Sequence, residues 1–120
     1  MAHASRAAVF AAAVLAVSSI QADASSGSNC GSASWYALGS RTASGEKMNA
    51  SNFTAAHRSY RFGTMLRVKN PRNGLAVIVR VNDRGPHIKG RMLDLSKAAA
   101  GQIGLIQSGV APVCMEVVSR

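Results

Sequence analysis

The stretch "LAVIVRVNDRGPHIKG" (residues 75–90) begins as an apolar strand pattern and ends on a charged turn. Alternate residues from Leu75 to Val81 share one face with a period of two, and both faces are mostly apolar at the start. This pattern is typical of a central strand in a closed sheet. If the strand continues to Asp83, its carboxyl lies at the rim of the apolar interior, where partial withdrawal from water suits a general acid.

A second strand pattern, "TMLRVKN" (64–70), precedes this stretch. The two are joined by "PRNG" (71–74), in which Asn73 and Gly74 supply the positive-φ residues of a tight hairpin turn. The sequence therefore predicts a β-hairpin here.

The remaining segments predict short elements around this hairpin. We expect a first strand in "CGSASWYALG" (30–39), a surface loop in "SRTASGEKMNAS" (40–51), a short strand in "RMLDL" (91–95), a helix in "SKAAAGQIGL" (96–105) and a closing strand in "APVCMEVVS" (111–119). Ser96 is the candidate N-cap of the helix. About five strands and one small helix indicate a small β-barrel.

The first residues have the layout of a secretory signal peptide. A basic start at Arg6 is followed by an apolar run too short to span a bilayer and by small residues. We expect a signal peptide over 1–24, a flexible leader over 25–29 and one domain over 30–120. The expected product is periplasmic or secreted and keeps no membrane anchor after cleavage.

The chain has two cysteines, Cys30 and Cys114, near the two ends of the expected domain. They either form a disulfide or remain free, buried thiols, and an oxidising compartment favours the disulfide. Such a bridge closes a long loop, which contributes up to roughly 4–5 kcal/mol in the chain-entropy model. This matters because so small a domain buries only roughly 60–65% of its unfolded surface.

The net charge of +9 indicates an anionic partner. After residue 24 the only acids are Glu46, Asp83, Asp94 and Glu116. Outside the cytoplasm the abundant anionic polymers are those of the cell wall, so nucleic acid is not the expected partner. The sequence lacks zinc-type Cys/His spacing and a phosphate-binding glycine loop, so we expect no metal and no organic cofactor. We expect the protein to be a monomer.

Five motifs occur in one order along the chain: "ASWYALG", "RTASGE", "TAAHRSYRFGTMLRV", "VNDRGPHIKGRMLDLSKAAAGQIGL" and "GVAPVCMEVV". Together, from Cys30 to Val118, they resemble the rare lipoprotein A (RlpA)-like domain of lytic transglycosylases, which is more distantly related to expansins and barwin-like proteins. The resemblance implies a mainly β fold, a six-stranded double-psi β-barrel with one or two short helices and a glycan-binding groove.

The resemblance also implies a catalytic pair, His57 and Asp83, with Asp94 as a second groove carboxylate. Three structural interpretations remain open at this point. Asp83 could pair with Arg84 across the turn, Asp94 could help to cap the helix at Ser96, and His57 could be a structural histidine.

Several other residues are candidate substrate contacts. The Tyr36 ring could stack on a sugar, and Thr42, Ser44 and Thr54 could bind sugar hydroxyls, although loop capping explains such residues equally well. Arg84 and Arg91 could hold carboxylates of the wall, or could be solvated surface charges.

The function implied by the resemblance is cleavage of peptidoglycan glycan strands without water, by attack of the muramic acid C6 hydroxyl on its own anomeric carbon. One acid/base group is sufficient for this reaction. The alternative is a non-catalytic, expansin- or barwin-like module that binds or loosens the wall. The presence of both His57 and Asp83 favours the enzyme. Well-known family members add a lipid anchor and a C-terminal repeat domain, which we do not expect in this sequence, so septal targeting and a preference for peptide-stripped glycan are not implied.

Overall fold

The structure is a computed structural model that describes residues 28–37 and 39–120; the predicted signal peptide and most of the predicted leader lie outside the described residues. The elements are β1 Ser28–Tyr36, β2 Thr54–Ala56, β3 Met65–Lys69, β4 Ala76–Asp83, β5 Arg91–Ser96, α1 Lys97–Gln102 and β6 Val110–Ser119. None of the helices among these residues is long and apolar enough to cross a membrane.

The six strands close into a barrel in the order β1-β5-β2-β4-β3-β6. Two pairs, β1–β5 and β2–β4, are parallel, and the other four are antiparallel. This arrangement confirms the predicted mainly β, six-stranded double-psi barrel with one short helix.

The barrel interior is filled by the alternate apolar residues of the strands. Val79 and Val81 of β4 are fully buried, as the period-two pattern predicts, and so are Leu93 and Leu95 of β5. Strand β4 also continues to Asp83, so the apolar pattern ends on an acid at the rim of the barrel.

The hairpin prediction is confirmed, because β3 and β4 pair antiparallel from Met65↔Arg80 to Lys69↔Ala76. The connection is longer than a two-residue turn. The Asn70 carbonyl accepts hydrogen bonds from the backbone N–H groups of Asn73 and Gly74, and Gly74 has a φ of 78°. The Asn70 side-chain amide also donates to the Ile103 carbonyl at the end of the helix at 2.8 Å.

The helix begins as predicted and ends three residues early. The Ser96 hydroxyl accepts a hydrogen bond from the Ala99 N–H, as an N-cap does. After Gln102 the chain leaves the helix, and Gly104 has a φ of 71°, which favours glycine. The departure lets Ile103 and Leu105 both enter the core, where neither is exposed.

Strand β2 was not predicted from the sequence. Its three residues, "TAA", are too few to show a period, and all of them are buried. The strand lies between β4 and β5, with its last residue opposite both. It therefore forms the bridge between the two strands that carry the candidate acids.

Cys30 and Cys114 form the predicted disulfide. The two residues are directly opposite each other on β1 and β6, the first and last strands of the barrel. The bridge therefore links the ends of the described domain covalently. Disulfides persist in oxidising compartments, so it indicates a protein that functions outside the cytoplasm.

Candidate active site

The two candidate acids flank one alanine across three neighbouring strands. Ala56 of β2 is paired with Asp83 of β4 on one side and with Asp94 of β5 on the other. Adjacent strands are about 4.8 Å apart, so the two acid backbones are roughly 9–10 Å apart. The row continues to Ser34 of β1, which is paired with Asp94.

Three uncharged donors converge on the Asp83 carboxylate. The Tyr36 hydroxyl donates to Oδ2 at 2.9 Å, and the backbone N–H groups of Ala43 and Arg84 donate to Oδ1 at 2.7 and 2.9 Å. These bonds fix the carboxylate orientation without a cationic partner. The barrel rim therefore holds a rigid anion whose charge is stabilised by hydrogen bonds alone.

The Arg84 side chain does not pair with Asp83, in contrast to one structural interpretation of the sequence. Its guanidinium donates to the carbonyl of Tyr60 at 2.7 Å and to that of His57 at 3.3 Å. It also lies over the Phe62 ring, 4.0 Å from the centroid. Arg84 thus holds the segment that follows β2 in place.

Tyr36 is a donor over the whole neutral range. Burial raises the pKa of its hydroxyl well above the ordinary value, and the hydrogen bond to Asp83 and the charges of Asp83 and Asp94 raise it further. Ionising Tyr36 would place a third negative charge in the row, so the phenol keeps its proton. Tyr36 was expected to contact substrate, and the structure gives its hydroxyl a role in orienting Asp83.

His57 is placed beside Asp83 by the backbone, because its N–H donates to the Asp83 carbonyl at 3.1 Å. Its Nδ1 accepts hydrogen bonds from the N–H groups of Ser59 and Tyr60 at 3.1 and 3.0 Å. The imidazole also stacks on the Tyr60 ring at 3.9 Å. With Nδ1 occupied as an acceptor, the proton of the neutral ring is on Nε2.

The surroundings of His57 favour this neutral form. Burial lowers the pKa of the imidazole below its ordinary value, and the positive charges of Arg84 and Arg58 lower it further. At pH 7 the side chain is therefore an uncharged Nε2–H donor. A neutral imidazole can hold a sugar oxygen or an N-acetyl carbonyl.

Asp94 is in a different environment, since it forms an ion pair. Its Oδ1 accepts a hydrogen bond from the Ser34 hydroxyl at 2.8 Å and lies 2.9 Å from Nε of Arg91. The Nε–H of Arg91 makes no hydrogen bond, but a terminal nitrogen of the same guanidinium donates a long one to Oδ2 of Asp94 at 3.5 Å. Asp94 does not cap the helix, because the Ser96 hydroxyl does so.

A third acid, Glu46, supports the site, and the sequence analysis did not assign it to the site. Its carboxylate accepts two hydrogen bonds from Arg80 at 2.8 and 2.9 Å and one from Asn82 at 3.0 Å. These bonds, with Arg80 the largest contribution, lower the pKa of Glu46 to about 2. The pair joins the 40–48 loop to β4, and this loop supplies the Ala43 N–H to Asp83. The sequence did contain a signal for this contact. Arg80 and Asn82 lie on the same face of β4, and two neighbouring donors favour a carboxylate partner.

Two of the three predicted hydroxyl contacts, Thr42 and Ser44, are hydrogen-bonded within the 40–48 loop. The Thr42 side chain is buried, donates to the Glu46 carbonyl at 2.8 Å and shares a hydrogen bond with the Ser44 hydroxyl. Thr54 is 3% exposed, and its hydroxyl has no hydrogen-bond partner in the described chain. Thr42 and Ser44 agree with the loop-capping interpretation, Thr54 in strand β2 does not, and substrate contact by these three residues stays a prediction.

A groove of about 430 Å³ opens beside His57. Its lining is formed by Cys30, Gly31, His57, Arg58, Ser59, Gly90, Arg91 and Met92. Asp94 adjoins it through Arg91, whereas Asp83 is not among the lining residues. Within the described part of the chain, no group of three His, Cys, Asp or Glu side chains could hold a metal ion.

Comparisons with known proteins identify the family of this chain. The profile of the family described as "Lytic transglycolase" matches residues 28–115. The chain is 54% identical over 95 residues to a probable endolytic peptidoglycan transglycosylase RlpA of Nostoc sp., covering 75% of this chain and 26% of that protein. The chain thus spans about a quarter of the length of this relative.

Two solved structures share the fold. The Streptomyces papain inhibitor superposes with a TM-score of 0.65 at 22% identity, covering 76% of this chain and 94% of that one. The expansin of Clavibacter michiganensis, solved as a mutant in complex with cellohexaose, gives a TM-score of 0.61 at 26% identity, covering 76% of this chain and 50% of that one.

Proposed function

The chain belongs to the lytic transglycolase family, and we propose that it cleaves peptidoglycan glycan strands between N-acetylmuramic acid and N-acetylglucosamine without consuming water. The products are strands that end in 1,6-anhydro-muramic acid. The relative with the same domain carries the name of an endolytic peptidoglycan transglycosylase. The observation that carries the proposal is the Asp83 carboxylate, held by three uncharged donors next to His57.

Asp83 performs both proton transfers in the proposed reaction. Its protonated form gives a proton to the glycosidic oxygen as the bond from that oxygen to the anomeric carbon breaks. The C6 hydroxyl of the same muramic acid then bonds to the anomeric carbon, and its proton returns to Asp83. Between the two transfers Asp83 is an anion, which the donors from Tyr36, Ala43 and Arg84 stabilise.

The neighbouring residues orient the sugar and stabilise developing charge. His57 offers its Nε2–H to a sugar or N-acetyl oxygen, and being neutral it adds no positive charge next to the oxocarbenium-like carbon. Asp94 lies on the other side of Ala56, and its negative charge stabilises the positive charge that develops on that carbon.

The protein reaches the cell wall by secretion in this proposal. The basic and apolar start of the sequence acts as a signal peptide that is removed after Ala24. The mature protein is periplasmic or secreted. The Cys30–Cys114 disulfide supports a folding site outside the cytoplasm.

The test is to incubate the purified secreted protein and its Asp83→Asn variant with peptidoglycan and to identify the released fragments by mass spectrometry. Anhydro-muramic ends that are formed by the wild type and lost in the variant are expected. Reducing ends, heavier by one water, would instead identify a hydrolase. Binding of peptidoglycan by both proteins with no released sugar would identify a wall-binding module.

A further inference from the structure

The groove beside His57 is cationic. Two of its lining residues are arginines, Arg58 and Arg91, and none is an acid. Arg91 is already paired with Asp94. Arg58 has no acidic partner among the described residues, so its charge is uncompensated at the groove wall.

The Arg58 guanidinium is exposed but fixed. One of its terminal nitrogens donates to the Arg91 carbonyl at 2.7 Å, which anchors the side chain across the groove between the β2 and β5 segments. Its remaining N–H groups make no hydrogen bond within the described chain. An anchored guanidinium with free donors is prepared to bind a carboxylate, since the planar fork matches two carboxylate oxygens.

The lowered pKa of His57 reflects the same positive charge. The charge of Arg58 contributes to lowering the pKa of the imidazole, so the two side chains are close enough to interact electrostatically. An anion bound at Arg58 would offset that charge. It would therefore also change the protonation of His57.

We propose that the groove beside His57 is a carboxylate-binding subsite in which Arg58 receives a carboxylate of the wall polymer. The inference rests on the proposed function for the choice of polymer. Peptidoglycan offers two sources of this group: the lactyl carboxylate of muramic acid where the peptide is absent, and the carboxylates of the stem peptide where it is present. The lactyl carboxylate would place a muramic acid unit next to His57, whereas a stem-peptide carboxylate would place the peptide there.

The test uses small ligands that contain no bond for the enzyme to cleave. N-acetylmuramic acid is compared with its neutral lactyl methylamide, and a muramyl dipeptide, whose lactyl carboxyl is already an amide, is compared with its amidated form. Dissociation constants and the His57 titration are measured by NMR on the wild type, on Arg58→Gln and on Arg72→Gln. Arg72 is the matched control, because it is an exposed arginine in the hairpin loop at the opposite end of β4.

We expect the wild type to bind a carboxylate ligand about three- to tenfold more tightly than its neutral form, the range for an exposed charge-assisted contact. Binding should raise the pKa of His57. Arg58→Gln should abolish both effects and Arg72→Gln should keep both. A preference within the sugar pair identifies the lactyl carboxylate as the source, and one within the dipeptide pair identifies the peptide.

Equal binding of the charged and neutral forms, or a preference that survives in Arg58→Gln, would overturn the subsite. The wild-type comparison decides this even if a variant does not fold. Because no ligand is cleaved, a retained preference in a protein that releases no anhydro ends would contradict only the proposed function.

Discussion

Asp83 and Asp94 flank the same alanine, yet the two sides of the row are built differently. Asp83 is surrounded by a hydroxyl and two backbone N–H groups, all uncharged. Asp94 is held by a hydroxyl and by the guanidinium of Arg91. The difference separates a carboxylate held in an ion pair from one held only by uncharged donors, and the second is the acid/base that we propose.

The sharpest test of this comparison replaces each acid by its amide. Asp83→Asn removes the proposed acid/base, so we expect kcat to fall about 10³-fold, within the usual range for general acid–base catalysis. Asp94→Asn removes only a stabilising charge, so a fall of about tenfold is expected. Both values are measured from the rate of anhydro-end formation, with circular dichroism as the check on folding. Equal losses would show that the two carboxyls share the chemistry.

A smaller effect is expected from the two hydroxyls that donate to these acids. Tyr36→Phe removes a donor to Asp83 and Ser34→Ala removes one to Asp94. A hydrogen bond to a charged group is worth about 1.5–3 kcal/mol, so Tyr36→Phe should lower kcat at least about tenfold with little change in KM. Ser34→Ala should cost less than about threefold, because Arg91 still pairs with Asp94. A larger loss in Ser34→Ala than in Tyr36→Phe would reverse the assignment of the acid/base.

The sequence predicted the parts of this site that depend on side-chain pattern. The alternation along β4 placed Asp83 at the rim, and the structure confirms that the strand reaches it. The motif resemblance named His57 and Asp94, and the barrel places both next to Ala56, itself part of the unpredicted strand β2. Strand β2 has only three residues, too few to show a periodic pattern. It can be recognised only from its pairing with β4 and β5 in the structure.

The support of Asp83 could not be predicted because part of it is backbone. The Ala43 N–H that donates to Asp83 belongs to a segment expected to be only a surface loop. A backbone donor has no signature in the side-chain sequence, and its position depends on the fold of the whole loop. The proposed role of Arg58 could not be predicted for a related reason. It depends on the hydrogen bond from Arg58 to the carbonyl of Arg91, which is 33 residues away in the sequence.

A further small effect concerns how that loop is held. Glu46→Gln weakens the bonds to Arg80 and Asn82, so the Ala43 N–H should be placed less rigidly and kcat should fall about two- to fivefold. The Glu46–Arg80 pair is partly exposed, and such pairs contribute at most about 1 kcal/mol, which lowers the Tm by about 2–6 °C at neutral pH.

This loss should depend on pH with a defined sign. The folded-state pKa of Glu46 is about 2, below the ordinary 4.5, so its stabilisation is present above pH 4.5 and disappears as the pH falls toward 2. The Tm difference between wild type and Glu46→Gln should therefore shrink over that window in calorimetric scans. Glu116→Gln is the matched control, because Glu116 is similarly exposed but lies 3.9 Å from Arg67. If the difference stayed constant down to pH 2, the stabilisation would come from the shape of the side chain rather than its charge. The loop would then hold Ala43 against Asp83 without the ion pair.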